Sequence, residues 1–328
     1  MQSRILGKDL EVSAVGLGCM GFTHAYGTAM DEKEAAKAIA EAVDIGYTFF
    51  DTAECYLGNR ADGTLASNED LVGEALKPYR DRIKLATKCG VAHSPEGLAT
   101  DSRPETIRKS IEESLKRLQT DYVDLYYQHR IDPKVDPEEV AGVMADLIKE
   151  GKILHWGISE TDEQYLRRAH AVCPVTAVQN RLSMMARWHE ELFPVLEELN
   201  IGFVAFSPLA NGFLTDAFKK GDTFEKGDYR NFMPQYSEES YNANRELLEL
   251  MRNLAAEKNA SPAQIALAWI INKKPYIVPI PGSRKLQRIR ENIEAGNIIL
   301  SEKEVADIDS QLDRIHISDV FGGSPVKK

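Results

Sequence analysis

Three polar residues each close a short apolar run: Asp51 ends TFFD, Lys88 ends KLATK and His129 ends YYQH, while Tyr56 follows Asp51 on the next loop. If those runs are parallel strands of one barrel, a carboxylate, an ammonium, an imidazole and a phenol meet on a single rim. Such a set suits carbonyl reduction, which needs a hydride donor and a proton for the developing alkoxide. A phenol with an ordinary pKa of about 10 is a reluctant acid. A neighbouring Lys88 ammonium is expected to lower that pKa, with Asp51 keeping Lys88 charged and His129 orienting the carbonyl. Taken singly, the four have plainer readings: a capping aspartate, a surface tyrosine, a solvated lysine and a structural histidine.

A second group lies in IVPIPGSRKLQRIREN, residues 277–292. A strand ends at Pro281, Gly282 permits a tight turn, and a helix follows with Arg284, Lys285, Arg288 and Arg290 on its first turns. Free amides at a helix start, with cations beside them, make a phosphate site, and barrels often place one after their last strand. The plainer alternative is an exposed basic helix face. The run Gly16-Leu17-Gly18-Cys19-Met20-Gly21 has too few residues between its glycines for the dinucleotide fingerprint of a doubly wound sheet. Cys19, Cys55 and Cys89, with His129, offer a zinc reading, but no pair has the close spacing of a metal knuckle, and they read as structural thiols with no metal.

The elements that must position these residues follow an alternating pattern. Apolar, β-branched or aromatic runs end near Met20, Asp51, Lys88, His129, Ser159, Asn180, Ser207 and Pro281, each short enough to be a strand buried on both faces. Between them, Asp31 caps a helix running to Gly46 with Glu34 completing the box, and Pro104, Pro137 and Pro262 each open a helical stretch. The interval from Ser207 to Pro281 is too long for one strand–helix unit, so an insertion spans Asn211 to about Ser240. The predicted fold is a (β/α)8 TIM barrel forming one domain over residues 1–328, with the opening ILGKDLEVSAVGLG as a hairpin that plugs its bottom.

Composition narrows the partners. A net charge of -11 argues against nucleic acid, and no apolar run reaches membrane-spanning length. The opening Met1-Gln2-Ser3-Arg4-Ile5 carries no signal-type apolar block, which with four scattered cysteines points to the cytoplasm. A ligand rich in phosphate must therefore be met by local cations.

The stretches VGLGCMGF (15–22), FFDTAECY (49–56), LATKCG (85–90), DLYYQHRID (124–132), WGISE (156–160), VQNRLS (178–183), AFSPLANGFL (205–214) and IPGSRKLQRIREN (280–292) occur in this order. Together they resemble the aldo-keto reductase superfamily over nearly the whole chain. The YYQHRID and GLGCMG versions are most similar to its plant and microbial branch, which includes pyridoxal reductases and auxin-induced-type reductases. This resemblance implies NADPH-dependent reduction of aldehydes or ketones, with Tyr56 as proton donor and Asp51, Lys88 and His129 completing a tetrad.

The resemblance also implies a path for the cofactor. Ser159 and Gln179 would hold the nicotinamide carboxamide with Asn180 beside them, and Gly21 would lie alongside. Ser207, Pro208, Leu209, Gly212 and Leu214 fall in the segment over the pyrophosphate. Gly282, Ser283, Arg284 and Arg288 fall around the 2′-phosphate, with Glu291 and Asn292 at the adenine. Two departures stand out. Gly282 occupies the place of a lysine in many relatives, with Arg284 as the candidate to compensate, and the loop LGNRADGTLASNE after Tyr56 is longer than the compact version and is expected to narrow the pocket. Two other functions compete: an NADPH-binding sensor subunit with slow turnover, and a Schiff-base lyase using Lys88. The carbonyl substrate and the oligomeric state are not legible from these residues.

Overall fold

The structure, a computed structural model, describes residues 2–94 and 97–323. Strands β1 (Ser3–Leu6) and β2 (Leu10–Ser13) form an antiparallel hairpin whose turn starts at Gly7, where a φ of +60° favours glycine. Next come β3 (Leu17–Gly18), α1 (Glu32–Asp44) and β4 (Phe49–Asp51). A small hairpin of β5 (Leu57–Asn59) and β6 (Leu65–Ser67) precedes α2 (Asn68–Leu76). Then β7 (Lys84–Cys89) leads to a second hairpin, β8 (Val91–Ser94) and β9 (Gly97–Thr100), and to α3 (Pro104–Leu118). The alternation continues through β10 (Val123–Gln128), α4 (Pro137–Lys149), β11 (Ile153–Ser159), α5 (Glu163–Val172), β12 (Ala177–Arg181), α6 (Phe193–Leu199) and β13 (Gly202–Phe206). After a long connection come α7 (Glu238–Ala243), α8 (Arg245–Lys258), α9 (Pro262–Lys273), β14 (Ile277–Pro279), α10 (Leu286–Glu294) and α11 (Glu302–Leu312).

Eight strands pair in parallel in the order β14-β13-β12-β11-β10-β7-β4-β3. The two ends of this sheet meet, because the Gly16 N–H donates to the Pro279 carbonyl at 2.9 Å and the Gly18 N–H to that of Pro281 at 3.3 Å. A (β/α)8 barrel results, as the alternation predicts. Glycine is required at the seam: a Cβ on Gly18 would lie 2.7 Å from the Ile280 carbonyl oxygen, and one on Gly282 would lie 2.7 Å from that of Gly18.

Alternate residues of each strand face inward and outward, which explains the continuous apolar runs. Phe49, Ala86, Leu125, Tyr127, Ala177, Val204 and Val278 point inward and are met by Leu6, Leu10 and Val12 of the first hairpin, which therefore plugs the barrel. Their neighbours Phe50, Leu85, Tyr126 and Val178 point outward against the helices, whose contributions include Ile107, Ile111, Met144 and Trp269. Helix starts follow local chemistry. Asp31 accepts from the Lys33 and Glu34 amides, proline occupies the first turns of α3, α4 and α9, and Ser261 with Gln264 forms a reciprocal box on α9. The first barrel strand stops at Gly18, short of the predicted Met20, because residues Met20–Phe22 turn into a 3-10 helix. The predicted insertion is present between β13 and α8 as short 3-10 turns and the brief α7. The hairpins β5–β6 and β8–β9 were not legible in the sequence. Among the described residues, no helix is long and apolar enough to cross a membrane.

Gly18→Ala is expected to destabilise the protein by about 1–3 kcal/mol in urea or thermal unfolding, because the new methyl meets backbone that cannot yield without opening the seam. Gly142→Ala in α4, with nothing within 4 Å of its Cβ, is the control and should be neutral or stabilising. Equal stability of the two variants would show that the seam tolerates a wider gap.

Candidate active site

The ends of β4, β7 and β10 bring Asp51, Lys88 and His129 to one rim, and the turn after β4 returns Tyr56 over them. Lys88 is fully buried, and its ammonium uses three partners: Asp51 Oδ1 at 2.5 Å, the Thr52 carbonyl at 2.8 Å and the Tyr56 hydroxyl oxygen at 3.2 Å. Gln179, from β12, donates to the other Asp51 oxygen at 2.8 Å. The Tyr56 and His129 rings meet edge to face at 5.7 Å, and His129 Nδ1 lies 3.4 Å from the Cys55 thiol. A lysine with every donor engaged is a poor amine nucleophile, which speaks against Schiff-base chemistry on Lys88.

Burial pulls the Lys88 ammonium down, but Asp51 and Tyr56, through charge and hydrogen bonds, outweigh it and hold its pKa above the usual lysine value. Burial raises the Asp51 carboxyl, opposed by Lys88 and Gln179. For Tyr56 the direction differs from the sequence expectation. Burial raises the phenol above its ordinary value, and the opposing pull of Lys88 does not overcome it. His129 is held well below the ordinary histidine range by burial, then by the nearby Arg130 and Lys88 cations, so its imidazole is neutral at physiological pH. Cys19, Cys55 and Cys89 are buried free thiols, and among the described residues no group of three His, Cys, Asp or Glu is arranged to hold a metal.

A cavity of about 520 Å³ opens above this rim and runs to the start of α10. Asp51, Tyr56 and His129 line it, as do Gly21, Ser159, Gln179, Ser207, Pro208, Leu209, Gly212, Gly282, Ser283, Arg284, Arg288, Glu291 and Asn292. The backbone from Ser207 to Gly212 is irregular, with positive φ at Ser207, Ala210, Asn211 and Gly212, a conformation that costs energy and clusters at ligand sites. Lys88 lies beneath the wall. Asn180 and Leu214 lie outside the lining: Asn180 is buried, donating to the Thr161 carbonyl at 3.1 Å, and Leu214 packs in the core.

At the other end, α10 starts at Leu286, later than the predicted helix, and no side chain caps it. Arg284 therefore precedes the helix, and its guanidinium donates to the Gly21 carbonyl at 2.5 Å and to that of Thr28 at 2.8 Å. It ties the loop after β3 to the loop after β14, which leaves it little freedom to replace a lysine at position 282. Arg290 turns outward to Glu41, whereas Arg288 faces the cavity. Glu291 accepts from the Ser261 hydroxyl. The stretch after Tyr56 is the β5–β6 hairpin and contributes nothing to the lining, so it does not narrow the cavity. Its Leu57 carbonyl instead holds His24 at 2.6 Å. The lining residues that sequence reasoning passed over include His24, His93, Arg130, Arg181, Phe206, Arg230 and Phe321. Arg130, Arg181 and Phe206 stood inside recognised stretches, but only their strand-end positions hinted at an inward direction.

A barrel whose polar side chains gather at the C-terminal ends of its strands has the arrangement of an enzyme. The chain belongs to the aldo/keto reductase family, whose model matches residues 14–313, and it is thereby an oxidoreductase. It is 40% identical over 322 residues to the probable aldo-keto reductase 1 of Glycine max, covering 96% of this chain and 89% of that protein. The solved glycerol dehydrogenase of Gluconobacter oxydans superposes with a TM-score of 0.84 at 26% identity, covering 97% of each chain. An aldo/keto reductase from Klebsiella pneumoniae, solved with NADP and acetate, superposes with a TM-score of 0.71 at 27% identity, covering 97% of this chain and 100% of that one.

Lys88→Met should fold but lose about 3–5 kcal/mol at neutral pH, because it strands a buried carboxylate. Without the ammonium, the Asp51 pKa rises further above its unfolded value. Stability tied to a raised pKa is present at low pH and lost as pH climbs through the folded value. The deficit against wild type should therefore be small near about pH 4 and grow toward about pH 8 in melting experiments. A deficit independent of pH would show that the Asp51 charge is not its cause.

Proposed function

We propose that the protein reduces aldehydes or ketones to alcohols with NADPH, using Tyr56 as the proton donor. The observation that carries this reading is the Tyr56 hydroxyl on the cavity wall, 3.2 Å from a buried ammonium. The residues present suit a dinucleotide: Ser159 and Gln179 offer side-chain hydrogen bonds at the rim, and an uncapped helix start with Arg288 lies at the far end. Reduced nicotinamide, when bound, supplies hydride to the carbonyl carbon.

The protein's part is the proton. His129 is neutral, the Lys88 donors are all engaged, and Asp51 is paired, so the phenol is the suitable acid facing the cavity. Its oxygen accepts from Lys88, which turns its own hydrogen toward a ligand. Burial keeps that hydrogen in place at neutral pH, and Lys88 stabilises the phenolate left once it is given up. Asp51 holds Lys88 charged, and the imidazole of His129 orients the carbonyl oxygen without competing as an acid. Elements from Gly18 to Phe321 line one cavity, which supports treating residues 1–328 as one domain.

Tyr56→Phe should bind NADPH as wild type does in fluorescence titration while turnover of an unactivated aldehyde falls by about 10²–10⁴-fold. Near-normal kcat in this variant would sink the role given to Tyr56. The preference for NADPH over NADH is placed on Arg288, whose guanidinium can grip the 2′-phosphate. Arg288→Ala should weaken NADPH by about 1.5–3 kcal/mol, roughly ten- to a hundredfold, and leave NADH almost unchanged. Equal losses for both nucleotides would mean that Arg288 does not read the 2′-phosphate.

A further inference from the structure

Arg181 closes β12 two positions beyond Gln179, so its side chain leaves the strand on the same face, into the barrel mouth. It is 3% exposed, yet its Nε and Nη1 atoms have no hydrogen-bond partner. The Phe206 ring lies 4.8 Å from the guanidinium and the Phe321 ring 5.9 Å. Glu160 accepts from the Arg181 backbone N–H, and among the described residues no carboxylate forms an ion pair with the side chain. The two most deeply placed lysines are matched by carboxylates: Lys88 by Asp51 and Lys273 by Asp309. Burial pulls the Arg181 pKa to about 10, opposed by the nearby Glu160 charge and reinforced by Arg130, so the group remains charged at neutral pH.

A buried guanidinium with unfilled donors and no direct ion pair is costly, and an anion bound there would offset that cost. A second cation stands near it. Arg130 lies 5.9 Å from the same Phe206 ring and donates to the His129 carbonyl and to Ser159 Oγ, with no carboxylate partner among the described residues. Both arginines line the cavity beside the irregular Ser207–Gly212 segment.

We propose that Arg181 is the binding cation for an oxyanion, phosphate or carboxylate, of a ligand in this cavity. The group comes either from the diphosphate of the nicotinamide nucleotide or from a carboxylate on the carbonyl substrate. This rests on the preceding reading of the cavity as a site for both molecules. The guanidinium offers two donors in one plane, the geometry that suits two oxygens of one anion.

The full-length protein with Arg181→Gln and Arg181→Lys tests this. The melting temperature without ligand should not fall in Arg181→Gln, because a buried charge with no direct ion pair has been removed; a structural arginine would give a clear fall. If the diphosphate is the partner, Arg181→Gln weakens NADPH and NADH by the same factor, about ten- to a hundredfold, with Arg181→Lys between. That pattern differs from Arg288→Ala, which separates the two nucleotides. If a substrate carboxylate is the partner, both nucleotides bind as before, and the ratio of kcat/KM for 4-carboxybenzaldehyde to that for benzaldehyde drops by a similar factor. Inorganic pyrophosphate or benzoate should raise the melting temperature of wild type more than that of Arg181→Gln. That readout supports the site even if no aldehyde is turned over, an outcome that would count against the reductase reading alone. Unchanged nucleotide affinity, substrate ratio and ligand-induced melting shift in Arg181→Gln would overturn the proposal, as would a ligand-free melting temperature that falls.

Discussion

The Lys88 ammonium sits where water cannot reach it, and three acceptors must therefore surround it. Asp51 supplies the opposite charge from the neighbouring strand, Thr52 a carbonyl, and Tyr56 its hydroxyl oxygen. Because the strands β4 and β7 are adjacent and parallel, their ends lie at one level, and the pair can form without distorting either. The turn that brings Tyr56 back over the rim then completes the shell. One buried charge thus sets the position of a carboxylate and a phenol, and Gln179 extends the network across the barrel mouth to β12.

That network would be of little use to a large ligand without the closure of the barrel. The seam between β3 and β14 brings the loop at residues 18–22 beside residues 280–284, although the two are far apart in sequence. Glycines at 18 and 282 allow this approach, and Arg284 fastens it by donating to Gly21 and Thr28. The same seam that makes the barrel a closed body therefore joins the rim of Tyr56 to the start of α10. It also gives a physical reason for glycine at position 282, since a side chain there meets the Gly18 carbonyl.

Charge is distributed unevenly in this acidic protein. Most arginines and lysines on the outer helices pair with carboxylates, such as Arg167 with Glu198 and Arg168 with Glu138. Such exposed pairs contribute little to stability. Inside the cavity the balance reverses: Arg130, Arg181 and Arg288 face it without ion pairs among the described residues, and Asp51 is already neutralised by Lys88. A polyanionic ligand thus meets positive potential at the cavity although the net charge of the chain is -11.

The sequence by itself determined the parts that depend on neighbours along the chain. Apolar runs marked the strands, prolines at 104, 137 and 262 and the cap at Asp31 marked helix starts, and the strand ends at Asp51, Lys88 and His129 marked the rim. Periodicity and capping are local chemistry, so they are legible without a fold. Tertiary structure decided the rest. The stretch after Tyr56 became a hairpin outside the cavity, Asn180 turned to the wall behind β12, and Arg284 was taken up as a loop fastener. The direction of the Tyr56 pKa also reversed, because it balances burial against one nearby cation, and the extent of burial is a property of the assembled barrel. Arg181 shows the same limit: its residue type was visible throughout, but the lack of a partner exists only once every other side chain has been placed.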